Sequence, residues 1–169
     1  MVDYRLTLLN KLLEDGNTLF KRNKLPEPAQ RYQYAAKRTP QIHQGTHKKV
    51  FDQLKIHLLL NLSRCKRKMH DYNDAIKLAT EVIAGHPSCY GAFHARAKAN
   101  HAAGHLDEAL QDLTEVVGVA PQNRELHKIM ISLKEEIKQK SKAVISHTKS
   151  DNQDSSSGHF SSIEGSTKI

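Results

Sequence analysis

Two prolines, Pro87 and Pro121, stand 34 residues apart, and most of the chain falls into register with them. On that spacing Ala75 matches Ala109, Val82 matches Val116, Leu59 matches Phe93, Ser63 matches Ala97 and Tyr72 matches Leu106. Counted back from Pro40, Gly16 falls with Ser63 and Ala97, Leu12 with Leu59, Leu25 with Tyr72, Tyr32 with Ala79, and Ala35 with Val82. Pro40 and Pro87 are 47 residues apart, so 13 extra residues separate the first two units. A fixed period of this length belongs to stacked repeats, in which each unit buries an apolar face against its neighbours.

Inside the units the apolar residues recur at helical spacing. The stretch LLLNLSRCKRK, residues 58–68, places Leu58, Leu59, Leu62 and Cys65 along one row and Asn61, Arg64, Arg67 and Lys68 towards another side. Leu and Ala dominate, aromatics are 5% and Trp is absent, so helix is favoured over sheet.

The register resembles the tetratricopeptide repeat (TPR), a 34-residue helix–turn–helix with a small residue at position 8, Ala at 20 and 27 and Pro at 32. The resemblance implies an all-α, right-handed α-solenoid of three repeats, about 7–40, 54–87 and 88–121. Small residues at positions 8 and 20 let helices A and B approach closely. The expected helices span 7–22 and 25–38, then 50–68 and 72–84, then 88–103 and 106–119. Pro28 stands where the repeat wants Ala, tolerated because Pro26 and Pro28 lie in a first turn. Asp71 is placed to cap its helix, and Gly104 punctuates a turn. Leu126, Ile129, Met130, Leu133 and Ile137 form the stripe of a capping helix, 123–141, which closes a domain of residues 1–142. The Ser-rich remainder, 143–169, reads as a disordered tail.

The wording of the repeats is narrower still. LLNKLLEDGNTLFKR, PAQRYQYA, LLLNLSRCKRKM and LKEEI look like the repeat region of the TANC scaffolds, whose insect counterpart is rolling pebbles. That resemblance covers roughly residues 4–140, including the insertion. It implies a cytoplasmic adaptor of synapses or cell junctions, with no enzymatic activity in this region. The family's NTPase-like region and ankyrin repeats are not in this sequence, which is then a piece of such a scaffold, a short product or a short paralogue.

The net charge is +8 with a pI near 9.5. Residues 143–169 carry a net −1, from Lys149 and Lys168 against Asp151, Asp154 and Glu164, so the repeats carry +9. A basic folded part suggests an acidic partner. The resemblance places helix A positions 2, 5, 6, 9, 12 and 13 on the concave surface. There stand Asn17 and Lys21; His57, Asn61, Arg64, Arg67 and Lys68; and His94, Lys98 and His101, with Glu14 as the exceptional acid. The expectation is a groove for an extended acidic peptide, Arg64, Arg67 and Lys98 pairing with carboxylates and Asn17 and Asn61 bonding its backbone. The competing reading is a solvated basic face. Chaperone-binding relatives use a carboxylate clamp; Asn17 and Asn61 match it, but its cations fall on Leu13, Gly91 and Ala95, which argues against that ligand.

The last residues, Ser166-Thr167-Lys168-Ile169, fit the PDZ-ligand pattern, with Thr167 donating a hydrogen bond and Ile169 entering the pocket. The His43/His47 and His101/His105 pairs have i, i+4 spacing but no further ligand, so no metal is expected. Cys65 and Cys89 lack a CxxC pattern and read as packing residues of a reduced, intracellular protein. No phosphate loop or nucleophile elbow is present, so no enzyme, cofactor or small-molecule substrate is expected. No apolar run reaches a membrane span, and the acid-bearing first residues do not read as a signal peptide. RNA binding is the alternative from another class, disfavoured because no aromatics interleave with the basic row.

Overall fold

A computed structural model describes residues 2–42, 44, 45 and 47–151, and within these the chain is seven helices. They are α1 (Val2–Lys21), α2 (Pro26–Arg38), α3 (Lys48–Lys68), α4 (Tyr72–Gly85), α5 (Tyr90–Ala103), α6 (Leu106–Val119) and α7 (Arg124–Asp151). Each helix packs on the next, and the A helices α1, α3 and α5 also touch one another in sequence. This is the TPR solenoid: three A/B pairs and a closing helix.

The close-contact positions hold the pairs together. In the second unit the Ser63 hydroxyl donates to the Ala75 carbonyl at 2.8 Å, which brings the backbones of α3 and α4 together. In the third, Ala97 and Ala109 are both fully buried against each other's helices. The first unit differs. Pro28 is buried in the first turn of α2, as expected, yet Gly16 is crowded by the ring of Tyr32 instead. A Cβ on Gly16 would lie 2.5 Å from that ring, so only glycine fits.

All three A-to-B turns use a left-handed residue at the same repeat position: Asn23 (φ 58°), His70 (φ 63°) and Gly104 (φ 86°). Gly104 takes this conformation freely and Asn23 tolerates it, whereas His70 carries the strain of a bulky side chain there. His70→Gly is therefore expected to raise stability by about 0.5–1 kcal/mol, read as a higher urea midpoint at unchanged slope.

The 13-residue insertion adds two turns to the start of α3. Phe51 and Leu54 in those turns are buried beside Leu9 and Tyr32, and Ile42 of the connecting loop packs on the same cluster. α1 begins at Val2 rather than residue 7, and its added turns bring Leu6 to this core.

Two expectations change at the helix ends. Asp71 makes no capping hydrogen bond; its carboxylate accepts one from Lys66 Nζ at 2.8 Å, which holds it below the usual carboxylate range. Asn123 does cap α7, accepting from the backbone N–H of Glu125 (3.1 Å) and Leu126 (3.2 Å). α7 continues to Asp151, ten residues past the expected end at 141, so the first part of the expected tail is helical. The rest of that tail lies outside the described residues. Within α7, Leu126 and Leu133 are buried and Leu133 joins Ala97, Leu106 and Leu113 in a second core, while Ile129 is exposed.

One interior contact is ionic. Arg96 on α5 donates to both carboxylate oxygens of Asp112 on α6, at 2.9 and 2.7 Å. The Asp112 side chain is only 4% exposed.

Candidate peptide-binding groove

The concave face is built by one side of α1, α3 and α5, closed at its end by α7. Between α3 and α5 lies a cavity of about 210 Å³ lined by Leu60, Asn61, Arg64, Arg67, His94 and Lys98 among others. A second cavity of about 440 Å³ adjoins it between α5 and α7 and shares His94 and Lys98; Leu113, Ile129 and Leu133 give it an apolar wall. The groove thus has a cationic chamber opening into an apolar one.

Three cations converge on the first chamber because helix positions 9 and 12 fall on one face and the A helices stack side by side. Their mutual repulsion adds to the effect of burial at Lys98. Desolvation first, then the charges of Arg67 and Arg64, lower its pKa below the ordinary lysine value. A bound anion would relieve that repulsion. His94 stands at the junction of the chambers, with its Nε2 buried and without a hydrogen-bond partner among the described residues. An unpaired buried nitrogen is costly, and a ligand group can satisfy it.

Burial, then the Lys98 charge, lowers the His94 pKa from its ordinary value. The folded protein therefore takes up this proton less readily than the unfolded chain. The resulting stability is full above the unfolded value of about 6.5 and is lost as pH falls through and below it. His94→Gln is expected to flatten that fall relative to the parent when urea midpoints are compared from about pH 7 to pH 5.

The two asparagines are joined rather than free. Asn17 Oδ1 accepts from Tyr32 OH (2.8 Å) and from Asn61 Nδ2 (3.1 Å), and Arg64 donates to Asn61 Oδ1. Their carbonyls are taken, so they offer a peptide backbone amide N–H donors only, a narrower role than the sequence suggested. Burial of Tyr32, the main cause, raises its pKa to about 12, so its hydroxyl remains a donor.

Phe20, at concave position 12 of the first unit, is a site residue that the polar pattern did not single out. Arg64 lies over its ring at 5.0 Å and Lys68 at 4.6 Å, so the aromatic face holds two groove cations. Lys21 is exposed at the end of α1 and lines neither chamber. His101 lines the apolar chamber, where its Nε2 and Glu136 of α7 are 2.8 Å apart.

Leu13, Gly91 and Ala95 occupy the positions where a carboxylate clamp has cations; Gly91 and Ala95 form part of the first chamber's wall. Among the described residues no three His, Cys, Asp or Glu side chains are grouped to hold a metal, and His43 and the PDZ-like residues Thr167 and Ile169 lie outside them. No helix among them is long and apolar enough to cross a membrane. Burial raises the Cys65 pKa to about 11, which suits a packing role rather than a nucleophile.

No protein-family model matches the chain. Among curated proteins it is 25% identical over 125 residues to the aryl-hydrocarbon-interacting protein-like 1 of Mus musculus, covering 71% of this chain and 38% of that protein. The chain therefore spans well under half the length of that relative. Among solved structures it matches the C-terminal TPR-containing domain of an FK506-binding protein of Plasmodium falciparum, with a TM-score of 0.70 and 23% identity, covering 84% of this chain and 96% of that one. It also matches the first TPR of Spaghetti bound to an HSP90 peptide, with a TM-score of 0.64 and 21% identity over 76% of this chain and 92% of that one. The fold shared with them is the TPR solenoid.

Proposed function

We propose that the chain is a non-enzymatic interaction module whose concave groove holds an extended acidic peptide. The observation that carries this is the convergence of Arg64, Arg67 and Lys98 on one chamber, with an unpaired His94 nitrogen beside them. Carboxylates in that chamber would pair with cations whose mutual repulsion is otherwise unrelieved. Aliphatic side chains of the same peptide would enter the chamber walled by Leu113, Ile129 and Leu133.

A co-chaperone role is the second reading, supported by the HSP90 peptide held by the Spaghetti TPR. Against it stand the missing clamp cations, at Leu13, Gly91 and Ala95. RNA is disfavoured because few aromatics interleave with the basic row, and Phe20, the ring at a concave position, already holds Arg64 and Lys68 over it. The TANC-like wording supports a cytoplasmic scaffold of junctions or synapses. A PDZ contact through Thr167 and Ile169 is part of the same proposal and rests on the sequence alone. Isothermal titration separates the readings. An internal Asp/Glu-rich peptide should bind with strong salt dependence, and the same peptide with Asn/Gln should not. Preference for the HSP90 tail SRMEEVD would favour the co-chaperone role, and preference for an RNA oligomer would end the peptide reading.

A further inference from the structure

The opposite face of the stack carries a second cleft that the groove does not use. It measures about 560 Å³, lies between α4 and α6 over α5, and includes Thr80, Arg96, Asn100, His105, Glu108 and Asp112. The internal repeat shows what is unusual about it. In the preceding unit Lys66 extends from helix A and its Nζ sits 2.8 Å from Asp71 and 3.0 Å from Asp74. Exactly one period later, 34 residues on, these positions are Asn100, His105 and Glu108. The acid at the end survives as Glu108, while the long cation that met it has become a short amide.

Two more positions depart from the pattern at the same place. Leu62 and Leu78 of the second unit become Arg96 and Asp112 in the third. All of these departures line one cleft. Places where a chain breaks its own local rule at some cost in stability are where function is expected. Asn100 is only 5% exposed, yet its side-chain amide makes no hydrogen bond among the described residues. Glu108 has no cation partner among them. Lys77 at the rim is 79% exposed and lies 4.0 Å from Asp74, and Arg96 is held by Asp112 and, at 3.3 Å, by Thr80. The charged side chains on the cleft wall balance, Lys77 and Arg96 against Glu108 and Asp112; with Arg96 spent on Asp112 and Lys77 exposed at the rim beside Asp74, the Glu108 carboxylate is left for a cation.

We propose that this cleft receives the side-chain ammonium of a lysine from a partner protein, in the place that Lys66 Nζ holds in the preceding repeat. Glu108 pairs with the charge, the Asn100 carbonyl accepts a hydrogen bond from it, and the stem of the lysine lies along the cleft wall. The module then has two faces of opposite preference: a basic groove for carboxylates and a cleft in which Glu108 takes a lysine. This proposal does not depend on the groove reading.

The test uses the full chain and Nα-acetyl-lysine methylamide as the probe, with its norleucine counterpart as control. The Asn100 side-chain amide and the Glu108 carboxyl carbon are followed by NMR. The lysine probe should give saturable shifts at both groups in the millimolar range, and the norleucine probe none. Glu108→Gln should weaken the probe roughly tenfold. Asn100→Lys should supply the missing cation from within, raising the melting temperature and abolishing probe binding. Equal shifts from both probes, no saturation up to about 50 mM, or undiminished binding by Glu108→Gln would overturn the proposal. Glu108→Gln decides the matter if the Asn100→Lys protein does not fold.

Discussion

Arg96→Leu is expected to destabilise the protein by about 3–5 kcal/mol, because it strands the Asp112 carboxylate in the interior with no cation. The carboxylate's side chain is 4% exposed, and both its oxygens now receive hydrogen bonds from Arg96. A loss of that size lowers the melting temperature of a domain this long by roughly 10 °C or more. The double replacement Arg96→Leu with Asp112→Leu should recover most of it. The preceding repeat already holds leucines at these two positions, Leu62 buried and Leu78 packed against the core. Thermal unfolding of the parent, the single variant and the double variant checks both statements. A single variant as stable as the parent would mean that the pair contributes nothing to the α5–α6 contact.

Reversing Arg64 and Lys98 to Glu is expected to weaken an acidic peptide by roughly a hundredfold or more. Stability should stay within about 1 kcal/mol of the parent. Arg64 is exposed and among the described residues meets Asn61 and the Phe20 ring, and the Lys98 charge is opposed by its surroundings. Titration of one labelled peptide into both proteins, with melting curves alongside, measures the two quantities together. Unchanged affinity would reduce the cationic row to a solvated surface.

The repeat register made all seven helices legible, and the limits of the inner ones to within about two residues. Proline, small residues and apolar spacing act within one unit, so they leave a mark in the sequence. The α6 limits match the expectation fully, and Ser63, Ala97 and Ala109 lie at close contacts as anticipated. What escaped depends on pairings between units. The hydrogen bond from Asn61 to Asn17 joins residues 44 apart, and nothing in either local stretch specifies it. Arg96 and Asp112 carry no local mark of a buried pair, and only their meeting across 16 positions lets the Asp112 carboxylate lie in the interior. Phe20 sits at a concave position but is apolar, so a search for polar groove residues passes over it. Asp71 had the right place for a cap, and a lysine five residues earlier took its carboxylate. α7 outran its apolar stripe, which marks only the residues that pack: the helix continues beyond Ile137 to Asp151.

The central claim is that carboxylates bind the concave chamber of Arg64, Arg67 and Lys98. Its most direct test is an amide NMR titration with an internal Asp/Glu-rich peptide and with the same peptide carrying Asn/Gln. The acidic peptide should move the signals of Asn61, Arg64, His94 and Lys98, with the His94 ring shifting as Nε2 gains a partner, and the neutral peptide should move none of them. Equal shifts from the two peptides, or shifts confined to α4 and α6 on the opposite face, would contradict it.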